Sequence, residues 1–173
     1  MTLPRLLALA LATSLVPAAA RADETPERKG FAFGFAVTPG AIAMGRGFAA
    51  ATRVRQLLGG AITDRVLLGS ELGLQVVHGS KKPGFLGDVV LQGFVGRGFY
   101  LRGTTGVVTN APALARDRLL PAVGGSVGIG YEFQPVGRFG VAIGLDYDAR
   151  MRTDRMLSQG IFLGVRFTGY PRK

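Results

Sequence analysis

The feature that most constrains this chain is a period of two that runs through most of its length, with large apolar residues on one face and small residues on the other. In GFAFGFAVTPG, residues 30–40, Phe31, Phe33, Phe35 and Val37 alternate with Ala32, Gly34, Ala36 and Thr38. Side chains two apart share a face only in a β-strand, so the stretch is extended. VLLGSELGLQV sets Val66, Leu68, Ser70, Leu72, Leu74 and Val76 against Leu67, Gly69, Glu71, Gly73 and Gln75. VGGSVGIGYEF and FGVAIGLDYDA repeat the habit around Val127, Ile129, Tyr131, Ile143 and Leu145. A spanning helix is excluded for the uncharged stretch 30–45, because Pro39 interrupts it, it falls short of ~20 residues, and its aromatics recur every second position.

Counting such runs between Gly, Pro and polar clusters predicts eight strands, near residues 30–38, 46–56, 65–77, 87–96, 99–109, 123–133, 139–149 and 156–168. TPGAIAMG, HGSKKPGFL, NAPALARDRLLPA and RMRTDR read as the longer connections, GRG and QPVGR as tight turns, and LLGGAITD as an exception to the alternation of long and short. An even number of strands joined alternately by long loops and short turns fits an all-β fold, an eight-stranded antiparallel up-and-down transmembrane β-barrel.

The two faces of each strand then become an outside and a lumen, and a bilayer requires the outside to be apolar. The bulky, aromatic face is assigned to lipid. The lumen face supplies a charge network of Arg53, Arg55, Glu71, Arg102, Glu132, Asp146, Asp148 and Arg166, whose mixed signs allow pairing. The competing reading is a soluble barrel with this face in water, but such faces carry Lys, Glu and Thr in quantity, whereas Gly and Ala dominate here.

MTLPRLLALALATSLVPAAARA, residues 1–22, reads as a signal peptide: a basic start at Arg5, an apolar run, and small residues ending in Ala20-Arg21-Ala22. Residues 23–29 follow as a short polar leader, and 30–173 as the barrel. Export, a formal charge of +10 and the absence of Cys point to anionic lipid or polysaccharide rather than nucleic acid, with neither disulfides nor a lipidated Cys. One His and no Cys exclude the usual zinc spacings, and no cofactor is expected.

The segment LGGAITDRVLLGSELGL, with its mid-strand Glu71, and VGIGYEF with its polar turn resemble the small bacterial outer-membrane β-barrel family, which includes the membrane domain of outer-membrane protein A and its eight-stranded relatives. SQGIFLGVRFTGY resembles the terminal strand by which such barrels are recognised for insertion, although PRK trails it. The resemblance implies an outer-membrane monomer with both termini in the periplasm, inserted by the barrel-assembly machinery and having a structural or surface-interaction role. Lys81, Lys82, Arg116, Arg118, Arg152 and Arg155 fall in the expected outer connections, as candidate contacts for the phosphates of lipopolysaccharide.

Three alternatives stay open. A narrow pore for small solutes follows if the small lumen residues leave a water-filled thread. A lipid A-modifying enzyme is raised by His78 and Ser80, two apart at a strand end in a His-x-Ser arrangement, although no Glu is placed to orient the His and the strand is not the one such deacylases use. Asp146 and Asp148 share a face and offer acid–base chemistry, but lumen arginines supply them with ion-pair partners. An exported soluble lipid binder is the third.

Overall fold

The computed structural model describes residues 28–171 apart from 45–46, 81, 97, 114–115 and 137. Residues 1–27, and with them the signal-peptide reading, lie outside the described residues. Eight strands, β1 (Gly30–Met44), β2 (Gly47–Thr63), β3 (Val66–Val77), β4 (Gly84–Val95), β5 (Phe99–Ala113), β6 (Arg116–Val136), β7 (Phe139–Arg152) and β8 (Leu157–Gly169), pair each with the next. β8 closes antiparallel on β1, so the sheet is a barrel with no free edge.

The register fixes the barrel's shape. A path along the paired residues leaves β1 at Ala32 and runs through Gly59, Gly69, Val90, Thr104, Ser126, Asp148 and Gly160. It returns to β1 at Ile42, ten residues further on. Ten residues of stagger over eight strands tilt the strands by about 42°, which leaves an interior that side chains fill.

The burial pattern is inverted relative to a soluble barrel. Phe31, Phe33, Phe35, Leu72, Leu101, Val127, Ile129, Ile143 and Leu163 face outward and are exposed, whereas Arg53, Arg55, Glu71, Arg102, Asp146 and Arg150 are buried in the lumen. Val127 is 65% exposed and its neighbour Ser126 only 5%. The end that carries the chain termini is ringed outside by aromatics, with Phe99 packed on Tyr131 and Tyr131 on Phe133 at centroid distances of 4.9 and 4.6 Å, and Phe139 against Phe167 at 6.2 Å.

Several expected boundaries move, each for a physical reason. β1 does not stop at Thr38 but continues through Pro39 to Met44. Its register with β8 lapses at Thr38 and Pro39, between the pairs Val37–Val165 and Gly40–Phe162, where a residue without an N–H is tolerated. LLGGAITD is not a connection either. β2 runs to Thr63, and Gly59 lies directly beside Gly69, where a Cβ would collide with the facing backbone. Gly59 thus marks a close approach of two strands rather than a turn. NAPALARDRLLPA is mostly the extended arms of the β5–β6 hairpin. With 12 to 21 residues per strand, every strand is longer than the ~9–11 residues that suffice to cross a bilayer.

Not all aromatics point outward. Phe94, Tyr100, Phe162 and Tyr170 are buried inside, the first three beside lumen arginines and Tyr170 bonded to Glu132. The Arg28 guanidinium carbon lies 3.7 Å from the Phe94 ring centre and that of Arg53 lies 3.8 Å from Phe162.

Candidate functional site

Among the described residues the lumen face of each strand carries one to four polar groups at alternate positions, four of them on β7, and barrel closure brings them together across the interior. Arg55 on β2 donates to Glu71 on β3 at 3.3 Å and to Asp146 on β7 at 2.9 Å. Arg102 on β5 pairs with the same Glu71, and Arg166 on β8 with the same Asp146, the latter at 2.5 Å. Arg166 also donates to the Tyr100 hydroxyl at 3.1 Å. Two carboxylates and three arginines therefore tie five strands, β2, β3, β5, β7 and β8.

A second layer lies toward the end opposite the termini. Arg53 donates to Gln75 at 2.8 Å and to Asp148 at 2.9 Å, while Arg150 grips Asp88 through both terminal nitrogens at 2.9 and 2.8 Å and reaches Asp148 through Nε. Such forked Arg–carboxylate contacts are the strongest of the charge-assisted hydrogen bonds. A third group closes the terminal end, where Arg28 Nε donates to Glu132 at 2.7 Å and Tyr170 donates to the same carboxylate at 3.1 Å. Burial first, and the adjacent Glu132 second, push the Tyr170 phenol above its ordinary value.

Small residues make this density possible. A Cβ at Gly130 or Gly144 would strike the Tyr100 hydroxyl, so these two glycines are the space that a tyrosine fills. The cavity left among Arg55, Glu71, Gln92, Arg102, Glu132 and Arg166 measures about 10 Å³, room for no more than about one water molecule.

All eight lumen charges named from the sequence, Arg53, Arg55, Glu71, Arg102, Glu132, Asp146, Asp148 and Arg166, are buried inside the barrel and ion-paired. Sequence reasoning missed Arg28, Asp88, Arg150 and Arg152. Asp88 shares the buried parity of Leu86, Val90 and Gln92, and Arg150 that of Asp146 and Asp148, so strand parity alone was enough to find both. Arg28 sits in the expected leader, yet it reaches into the barrel mouth.

The outer connections divide. Arg152 is not a loop contact: it ends β7, its side chain is fully buried, and it donates to Asp154 at 2.8 Å. The turn 153–156 is tight, with the Arg152 carbonyl accepting from Arg155 N–H, which puts Arg152 inside the rim. Arg155 is exposed at a positive φ of 62°, and Lys82 is exposed. Arg116 and Arg118 fall at the start of β6, and Lys81 lies outside the described residues.

His78 and Ser80 form no catalytic pair. His78 Nε2 lies 3.2 Å from Thr52 Oγ1, whereas the Ser80 hydroxyl donates to the Lys82 carbonyl and accepts from the Lys82 N–H. Among the described residues no group of three His, Asp or Glu side chains is placed to hold a metal.

No sequence family matches the chain, and neither does any curated protein. Solved structures do match its shape. Neisserial surface protein A superposes with a TM-score of 0.67 at 11% identity, over 82% of this chain and 97% of that one. Ail, the attachment invasion locus protein of Yersinia pestis, solved with the heparin analogue sucrose octasulfate, matches at 0.49 and 9%, over 81% of this chain and 99% of that one. The eight-stranded closed barrel expected from the resemblance to small outer-membrane barrels is the fold the chain has.

Proposed function

We propose that this chain is a monomeric outer-membrane protein whose barrel is a plugged, non-conducting anchor and whose outer hairpins make contacts at the cell surface. One observation carries the reading: the wall is apolar around its circumference while the interior holds the ion pairs. A continuous exposed apolar surface of that extent suits only an apolar surrounding, and in lipid a sheet must close so that every backbone group is paired. Export by the signal peptide, insertion by the barrel-assembly machinery and termini in the periplasm follow from the same reading. A membrane fraction in which the boiled protein migrates differently from the unboiled one on a denaturing gel is the expected result. Recovery of the whole protein in the soluble periplasm overturns it.

The partner favoured for the outer end is lipopolysaccharide, held by Lys81, Lys82, Arg116, Arg118 and Arg155. The narrow pore is disfavoured by a lumen cavity of only about 10 Å³. An enzymatic role is disfavoured because the Ser80 hydroxyl is engaged by Lys82 rather than by His78. Replacing either residue by Ala is expected to leave lipid A acylation unchanged in mass spectra.

A further inference from the structure

We infer that the outer wall seats one acyl chain of a lipopolysaccharide molecule in a groove that crosses it from β4 to β8. Resting on the membrane reading above, this site adds an apolar part to the lipopolysaccharide contact. The groove is open and has a volume of about 780 Å³. Its banks are two adjacent cross-strand rows on the exposed face. Leu91, Gly103, Val127, Tyr147 and Ile161 pair in turn along one, and Gly93, Leu101, Ile129 and Leu145 along the other. Rows two residues apart lie about 7 Å from each other, and four strand-to-strand steps span about 19 Å.

Packing does not force this shape. Neither Gly93 nor Gly103 has a positive φ, and a Cβ built on either meets no neighbouring atom within 4 Å. Gly59 and Gly69 differ, since a Cβ there runs into the facing backbone. The wall therefore has room for larger side chains at Gly93 and Gly103, and the two glycines leave the groove open beside Leu91 and Leu101.

Width and polarity name the occupant. A helix with its side chains is about 10–12 Å across, and facing sheets stand about 10 Å apart. What lies along a channel of about 7 Å is thus a single extended apolar chain. One circuit along paired residues gains ten residues on β1 toward the end opposite the termini, so the groove rises in that direction from β4 to β8. At its upper end the wall turns polar. The Tyr147 hydroxyl donates to Gln159 Oε1 at 3.1 Å on the exposed face, and the turn between β7 and β8 carries the exposed Arg155. An alkyl chain below an anionic head matches that order, and at the outer end the proposed anionic lipid is lipopolysaccharide.

Because the chain has no Trp, one introduced fluorophore reports one place. Ile161→Trp stands at the upper end of the groove, and Leu74→Trp on β3 lies on the exposed wall outside it. Each variant is placed in phosphatidylcholine vesicles with rising fractions of lipid A that carries brominated acyl chains. Quenching of Ile161→Trp is expected to reach half its maximum at a lipid A fraction about tenfold lower than for Leu74→Trp, the mark of a site about 1.4 kcal/mol better than bulk lipid. Coincident curves overturn the groove and leave the barrel in lipid, whereas no quenching of either variant removes the membrane reading and the groove with it. Adding Gly103→Leu to Ile161→Trp fills the groove from open space and should erase the preference; Gly93→Leu takes its place should that variant not fold. A preference that survives the filling overturns the assignment. Brominated phosphatidylcholine in place of lipid A should show no preference, and an equal one would overturn lipopolysaccharide as the occupant.

Discussion

Arg28 and Tyr170, which flank the first and last strands, are held by the same carboxylate, Glu132 on β6. The chain thus meets itself twice at closure, once through the β1–β8 ladder and once through this buried side-chain clasp. Removing one partner of a buried pair costs about 3–5 kcal/mol, because the other charge is left without compensation. Glu132→Ala is therefore expected to lower stability by that order in urea unfolding from micelles, and Tyr170→Phe by only about 1–3 kcal/mol, the worth of a hydrogen bond to a charged group. The clasp also sets an alkaline limit. A phenol whose folded value is raised stabilises fully below its unfolded value, near pH 10, and that contribution is lost as pH rises beyond it. Tyr170→Phe should flatten the fall in stability above pH 10, and an unchanged slope would place the loss elsewhere.

Among the described outer cations, Lys82 and Arg155 are exposed and Arg152 is buried. Neutralising Lys81, Lys82, Arg116, Arg118 and Arg155 together should weaken co-purification of lipopolysaccharide, and raising the salt should weaken it further in the wild type, since exposed charges are screened within ~8–10 Å. Arg152→Ala should behave differently, because its side chain is buried and paired with Asp154. Reduced thermal stability with lipopolysaccharide retained is the expected result for that variant. Loss of lipopolysaccharide in Arg152→Ala at full stability would return this residue to the contact surface.

In the proposed reading the central network plugs the barrel. Purified protein in planar bilayers should give no steady conductance, and reproducible openings would favour the narrow pore instead. Glu71→Ala should destabilise by about 3–5 kcal/mol, since it leaves Arg102 without its carboxylate. The pair Glu71→Leu with Arg102→Met should recover much of that loss, because filling the same space with apolar side chains removes both desolvation costs. A double variant as unstable as the single one would show that the interior needs charge for reasons other than pairing.

The parity of the strands was legible because it depends only on the two-residue repeat, which sets Val127, Ile129 and Tyr131 on one face of their strand. What escaped was set by contacts distant in sequence. Pro39 and Gly59 look like breaks, yet one sits at a lapse in the β1–β8 ladder and the other at a close approach to Gly69. Arg152 looked like a loop cation because its turn partner Asp154 gives no local sign of drawing it inward. The inward aromatics were missed for the same reason, since Phe94 and Phe162 face the lumen to stack under Arg28 and Arg53, which approach from other parts of the chain.

The inversion itself is tested by Ser126 and Val127. Ser126 bonds to Thr104 inside the lumen, at 2.9 Å between hydroxyls, and faces Asp148 on β7; Val127 stands on the outer wall. An Arg at the outer midplane of a membrane barrel costs ~2–4 kcal/mol, so Val127→Arg should impair insertion. Ser126→Arg gains Asp148 as a neighbour but enters a filled interior, so it too should destabilise, through overpacking. Stability alone therefore does not discriminate. The chain has no Trp, which makes Val127→Trp a single-site fluorophore. In vesicles its emission should be blue-shifted, quenched by lipids brominated along the acyl chain, and resistant to acrylamide. Phe48→Trp, on the same face but near the tip of the β1–β2 hairpin, should be quenched less by deeply brominated lipid than Val127→Trp. Protection of Val127→Trp from both quenchers would place it in a protein core, and acrylamide quenching without lipid quenching would place it in water; either result removes the membrane reading.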